Sequence, residues 1–161
     1  MSPAITIRPE SPQQTDVARL LAANSALSAS LYPVEGNFAL DPAAFGGPNA
    51  HVLVARGADG SALGCIGLLA VPGDVPAWGE MKSVYVSPAA RGAKLGLRLI
   101  AALEAHALEL GLTVIRLETG PLNPAAIELY RRAGYVERGP FGGYEPGPYS
   151  LFMERTLAAN A

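Results

Sequence analysis

The chain has 161 residues, half of them hydrophobic, 16% charged, with a net charge of −2. That size suits one domain, and the apolar content excludes a disordered chain. The charge gives no basic footprint for nucleic acid. No apolar run reaches the ~18 residues of a membrane span, and residues 1–10 lack the basic start and apolar core of a signal peptide, so a cytoplasmic protein is expected. The lone cysteine, Cys65, lies in an apolar run and reads as a buried, inert thiol. No Cys/His cluster suggests a metal.

Alternation of Ile5 and Ile7 predicts a strand over residues 4–8. Ser11-Pro12 predicts the start of a helix carrying Val17, Leu20, Leu21 and Leu27, which fades before Tyr32-Pro33. Pro, Gly and Asn over 33–49 predict a loop, with a helical turn near 41–45. Strands are expected over 51–56 and 61–71, joined by a hairpin at 57–60, and over 78–86. Residues 91–110 form the strongest helix pattern, with Leu95, Leu99, Ala102, Leu103, His106 and Leu110 on one face and Gly111 as the stop. A strand over 113–119, a helix from Asn123-Pro124 to about 133–134, and strands over 135–137 and 150–155 complete the chain. The order β-α-β-β-β-α-β-α-β-β, without a linker or repeat, reads as a single α/β (α+β) domain over 1–161.

Three segments carry chemistry. In the first, Arg91-Gly92-Ala93-Lys94-Leu95-Gly96 opens the long helix. A helix start offers unpaired N–H groups and partial positive charge, glycines permit close approach, and Arg91, Lys94 and Arg98 add cations. These features suit a pyrophosphate, although an ordinary helix start looks much the same. The spacing fits neither a Walker loop nor a dinucleotide fingerprint. In the second, simple alternation places Glu80, Lys82, Val84 and Val86 on one face of their strand. Glu80 could take a proton from an amine, or it could pair with Lys82 on a solvated face. In the third, Asn123 is a natural N-cap, and Tyr130 follows two turns later, about 10 Å along the axis. Tyr130 could protonate a leaving thiolate or serve as a core aromatic.

These segments, in this order and separation, resemble the GCN5-related N-acetyltransferases (GNAT) over about residues 78–135. The family pattern Arg/Gln-x-x-Gly-x-Gly/Ala stands here as Arg91 to Gly96, with Lys94 at the usual glycine, and Gly134-Tyr135 matches the family's Gly-Phe/Tyr. The resemblance implies a mixed, mostly antiparallel twisted sheet flanked by helices, whose splayed fourth and fifth strands admit the pantetheine arm of acetyl-CoA, the cosubstrate. It implies that Val84, Tyr85 and Val86 bind that arm through their backbone and that Arg91, Gly92, Ala93, Lys94, Leu95 and Gly96 hold the pyrophosphate. Asn123 matches a coenzyme A contact and Tyr130 the general acid.

Direct attack of a neutral amine on the thioester follows, with Glu80 as first candidate base and Glu118 as reserve. The expected acceptor is a small-molecule amine, such as an amino acid held by Lys82 if Lys82 is not paired with Glu80. Acetylation of a protein or peptide, and a non-catalytic acyl-CoA-binding module, are the alternatives. The resemblance also allows a homodimer. Tyr32, Phe38, Phe141, Tyr144 and Tyr149 fall in two loop regions that could cover the acceptor site or simply close the fold. His51 and His106 are expected to be structural.

Overall fold

The structure is a computed structural model that describes residues 4–33, 45, 47–92 and 94–157. Phe38, Ala93 and most of the turn expected near 41–45 lie outside the described residues. Strands β1 (Thr6–Pro9), β2 (Ala50–Arg56), β3 (Ala62–Val71), β4 (Trp78–Val86), β5 (Val114–Thr119), β6 (Val136–Arg138) and β7 (Leu151–Thr156) form a seven-stranded sheet in the order β1-β2-β3-β4-β5-β7-β6. All neighbours are antiparallel except β4 and β5, which run parallel. Helices α1 (Thr15–Leu31), α2 (Leu95–Glu109) and α3 (Pro124–Arg132) flank the sheet.

The apolar periodicity sorts the helices between the two faces. Leu95, Leu99, Ile100, Leu103 and Ala107 of α2 and Tyr130 of α3 join Leu53, Ile66, Leu68, Met81, Ile115 and Leu117 in the larger core. On the opposite face, Val17, Leu20 and Leu21 of α1 pack on Val52, Val54 and Cys65. Further along the sheet, Trp78, Val114, Phe141 and Phe152 form an aromatic cluster with Tyr144 against it.

Two helix starts differ from expectation. Helix α1 begins at Thr15 rather than at Ser11-Pro12, because the Ser11 hydroxyl accepts the Gln13 N–H (3.1 Å) in a local turn and Gln14 becomes the N-cap. Helix α2 begins at Leu95 rather than at Arg91. A short 3-10 turn over Pro88–Ala90 comes first, and Gly92 (φ 100°) and Lys94 (φ 54°) then take left-handed backbone that no α-helix can contain. On α2 the buried stripe includes Ile100 and Ala107, while Leu110 is exposed. His106 meets His51 of β2 (Nε2···Nδ1 3.3 Å), a packing contact in which burial and the neighbouring ring lower the His51 pKa.

The decisive irregularity lies in β4. Cys65 pairs with Tyr85, but Gly67 pairs with Lys82, so Ile66 faces two residues, Ser83 and Val84. This is a β-bulge, and Ser83 sits in it with φ 56°. One extra residue inverts the alternation. Glu80 lies across from Leu69 on the α1 face, whereas Met81, Val84 and Val86 pack into the α2/α3 core and Tyr85 into the α1 core. The expectation that Glu80, Lys82, Val84 and Val86 share one face is therefore corrected. Glu80 and Lys82 point one way, and Val84 and Val86 the other.

Candidate active site

Strands β4 and β5 pair only from Trp78↔Val114 to Met81↔Leu117. The bulge turns β4 away immediately after this seam, and the two strands part. Lys82, Ser83 and Val84 on one side and Glu118, Thr119 and Gly120 on the other line a cavity of about 140 Å³. Leu27 and Leu31 of α1 and the capping Tyr32 line it on one face of the sheet, and the α3 cap Asn123 with Ala126 and Tyr130 of α3 on the other. The cavity thus runs through the sheet.

Each wall brings different chemistry. Glu118 alternates with buried Leu117 and so faces the α1 side. Burial raises its pKa; the Ser150 hydroxyl, which donates to it at 2.7 Å, and the charge of Lys82 pull the other way, and Glu80 adds to the rise. Glu80 is differently placed. Its carboxylate receives the Tyr144 hydroxyl at 2.5 Å and the Lys82 ammonium at 3.3 Å, and Lys82 also donates to Tyr144 at 2.8 Å. Both charged side chains are about nine-tenths buried (12% and 9% exposed). They form a closed, mutually neutralised unit. Among the described residues, Glu80 does not line the cavity and Lys82 does. The sequence left open whether Lys82 is paired with Glu80, and the structure shows the pair.

Tyr130 enters from the other face. Its ring packs edge-on against Tyr135 (6.5 Å between centroids) and is 9% exposed. Burial, reinforced by the charge of Glu118, pushes its phenol up to about 12. A phenol so shifted stays protonated at any physiological pH and can donate to an anion formed in the cleft. Asn123 caps α3 by accepting the Ala126 N–H (3.2 Å), which turns the start of that helix towards the cavity wall it lines.

Among the described residues, the β5-facing edge of β4 past Met81 has no strand partner, so backbone groups over Val84, Tyr85 and Val86 could pair with an extended ligand that has amides of its own. The segment leading to α2 has the features of an anion cradle. The first turn of α2 has no side-chain cap. A β-carbon on Gly92 would meet nothing within 4 Å, and Arg91 and Lys94 are exposed. Lys94 adopts the left-handed backbone that a glycine favours. Leu95 is buried in the core and Gly96 packs on Leu129 of α3, which fixes the start of α2. Arg98 is directed to the Ile5 carbonyl (3.3 Å) and ties α2 to the chain start.

Nothing in the sequence points to Ser150 or to the reach of Tyr32. From the sequence, Tyr32 is only a loop aromatic. Its hydroxyl accepts the Leu122 N–H at 2.9 Å, some 90 residues away, a contact that no local pattern encodes.

A parallel seam that opens at a bulge, with a glycine-bearing helix start beside it, defines an acyl-CoA N-acyltransferase fold. Residues 19–135 match the family described as the Acetyltransferase (GNAT) family. The chain belongs to this family and is an N-acetyltransferase. It is 41% identical over 155 residues to the IAA acetyltransferase of Azospirillum brasilense, covering 96% of this chain and 99% of that protein. The crystal structure of a Klebsiella pneumoniae protein assigned to the acyl-CoA N-acyltransferases superposes with a TM-score of 0.79 at 37% identity, over 96% of this chain and 98% of that one. The spermidine N-acetyltransferase of Vibrio cholerae, solved with CoA and spermine, shares the fold at 18% identity (TM-score 0.70, 95% of each chain). Among the described residues, no helix is long and apolar enough to cross a membrane.

Proposed function

We propose that this enzyme transfers the acetyl group of acetyl-CoA directly to the amine of a small molecule. The observation that carries the reading is the arrangement of Glu118 and Tyr130 on opposite faces of one cleft between β4 and β5. The acetyl-CoA arm runs along the open edge of β4 at Val84, Tyr85 and Val86, with its pyrophosphate over residues 91–96 and Asn123 beside it. The amine therefore comes from the opposite, α1 side.

There Glu118 is the general base, in preference to Glu80. Glu118 lines the cavity and its pKa is already raised towards that of an amine-deprotonating group, whereas Glu80 is occupied by Lys82 and Tyr144. As the amine nitrogen bonds to the carbonyl carbon, its proton passes to Glu118, directly or through water. The negative charge on the carbonyl oxygen is met by a backbone N–H of the bulged β4 segment. The carbon–sulfur bond breaks and Tyr130 gives its proton to the departing thiolate. No covalent enzyme intermediate is required.

The size of the cavity, about 140 Å³, supports a small acceptor over a protein segment, which needs a longer groove. The name of the Azospirillum relative also indicates a compound rather than a protein. Lys82 is neutralised by Glu80, which weakens the case for an acceptor carboxylate bound by that lysine. The test is thiol release from acetyl-CoA against amines, amino acids, polyamines and short peptides. Release that depends on a small amine supports the reading. Release with peptides alone, or acetyl-CoA binding without release from any acceptor, overturns it.

A further inference from the structure

This inference rests on the acetyl transfer proposed above. Three segments distant in sequence meet at Tyr32. Its hydroxyl, at the end of α1, accepts the Leu122 N–H in the turn between β5 and α3. Its ring stands edge-on to Tyr149, in the segment before β7, at 6.4 Å between centroids. It also lies so close over Gly120 that a β-carbon there would overlap the phenol oxygen. Tyr32 thus spans the α1 mouth of the cleft, the side from which the amine arrives.

We propose that Tyr32 is the size-limiting wall of the acceptor site, a strut from α1 to the β5–α3 turn, and that residue 120 must be glycine for the strut to seat. The cavity that Tyr32 borders, about 140 Å³, is close in size to the ~150 Å³ cavity that holds one benzene and must also admit the thioester, so the strut restricts the enzyme to amines with no more than a short alkyl chain or one ring near the nitrogen. Leu27 and Leu31 of α1 line the same mouth beside Asn24 and Ser28, so its wall is part apolar and part polar. Burial, opposed by the Leu122 hydrogen bond and helped by the charge of Glu118, raises the Tyr32 pKa, so the phenol stays neutral and in place.

The experiment compares kcat/KM for a branched arylalkylamine with that for a short linear alkylamine in wild type, Tyr32→Ala, Tyr32→Phe and Gly120→Ala. Admitting a group that a tight wall excluded is worth roughly 10–200-fold. Tyr32→Ala and Gly120→Ala are expected to raise the bulky-to-slender ratio at least tenfold, while Tyr32→Phe, which keeps the ring, leaves it within about threefold. An unchanged ratio in Tyr32→Ala, or a Phe variant that behaves like Ala, overturns the wall. A second readout needs no turnover and so separates failure of the strut from failure of the acetyl-transfer reading. Thermal unfolding of Gly120→Ala, Tyr32→Ala and the double variant is expected to show that the added methyl costs stability only while Tyr32 is present. Additive losses would show that the two residues do not touch, and the strut would fall whatever the enzyme acetylates.

Discussion

Replacing Glu118 by glutamine, beside the matching Glu80→Gln, separates the two carboxylates on the α1 side of the cleft. Loss of a general base lowers the rate by about 10²–10⁴, or roughly 2.7–5.4 kcal/mol of barrier at 1.36 kcal/mol per tenfold. Glutamine keeps the shape and can still accept the Ser150 hydroxyl, so the loss is chemical and not steric. Because burial raises the Glu118 pKa, wild-type kcat/KM is expected to climb with pH along an acid limb centred above the ordinary carboxyl value of about 4.3, and Glu118→Gln should flatten that limb. The stability effect has the opposite sign. A carboxyl whose folded pKa is raised contributes stability below its unfolded pKa and loses it as pH rises through the folded one. At neutral pH the folded protein therefore carries the cost of a half-buried carboxylate, and Glu118→Gln is expected to be slower but more stable by urea denaturation. Glu80→Gln should do the reverse. It leaves the buried Lys82 ammonium without its counter-charge, at about 1.5–3 kcal/mol for a charged hydrogen bond, while the acid limb persists. An acid limb that survives in Glu118→Gln and vanishes in Glu80→Gln would refute this assignment.

Tyr130→Phe should lower kcat by about 10²-fold with little loss of stability, because the ring stays against Tyr135; with the phenol at about 12, the wild-type pH profile should show no alkaline fall from this group below about pH 10. Lys94→Gly should stabilise the fold by about 1 kcal/mol in thermal unfolding by relieving left-handed strain, whereas Lys94→Val should lose at least as much. Arg56 donates to Glu10 and Asp16 and lowers both their pKa values, so its contribution is present above the ordinary carboxylate range and lost as pH falls through the depressed values. Arg56→Met should cost about 2 kcal/mol at pH 7, mostly through the well-covered Glu10, and the gap to wild type should narrow as pH falls below the ordinary carboxylate range.

Much of the architecture was legible because it depends on local signals. The Gly57 to Gly60 hairpin, the α3 start at Asn123-Pro124 and the limits of β4 follow from turn chemistry and alternation, and all three stand in the structure. The start of α2 lies four residues beyond the one the pattern predicts, because Lys94 occupies a backbone state usually advertised by glycine. The face reversal in β4 was invisible for a similar reason, since Ser83 has no sequence mark of a bulge. Tyr130 and Asn123 could be singled out by their helical spacing. The contrast between Glu80 and Glu118 could not, because it is set by partners 32 and 64 residues away, Ser150 and Tyr144. The Tyr32 strut spans 90 residues and is likewise a product of tertiary structure alone.

The bulge at Ser83 also divides labour along a single strand. Glu80 and Lys82 face the α1 side, and Val84 and Val86, beyond the bulge, face α2 and α3. In the proposed reaction, acceptor preference and donor handling are thus separate dials within these nine residues. Glu80 and Lys82 can be exchanged to suit a new amine without touching Val84 or Val86, whereas Trp78 and Met81 are fixed by the cores they pack into. Deleting one residue at Ser83 would couple the dials again, sending every later side chain to the wrong side of the sheet.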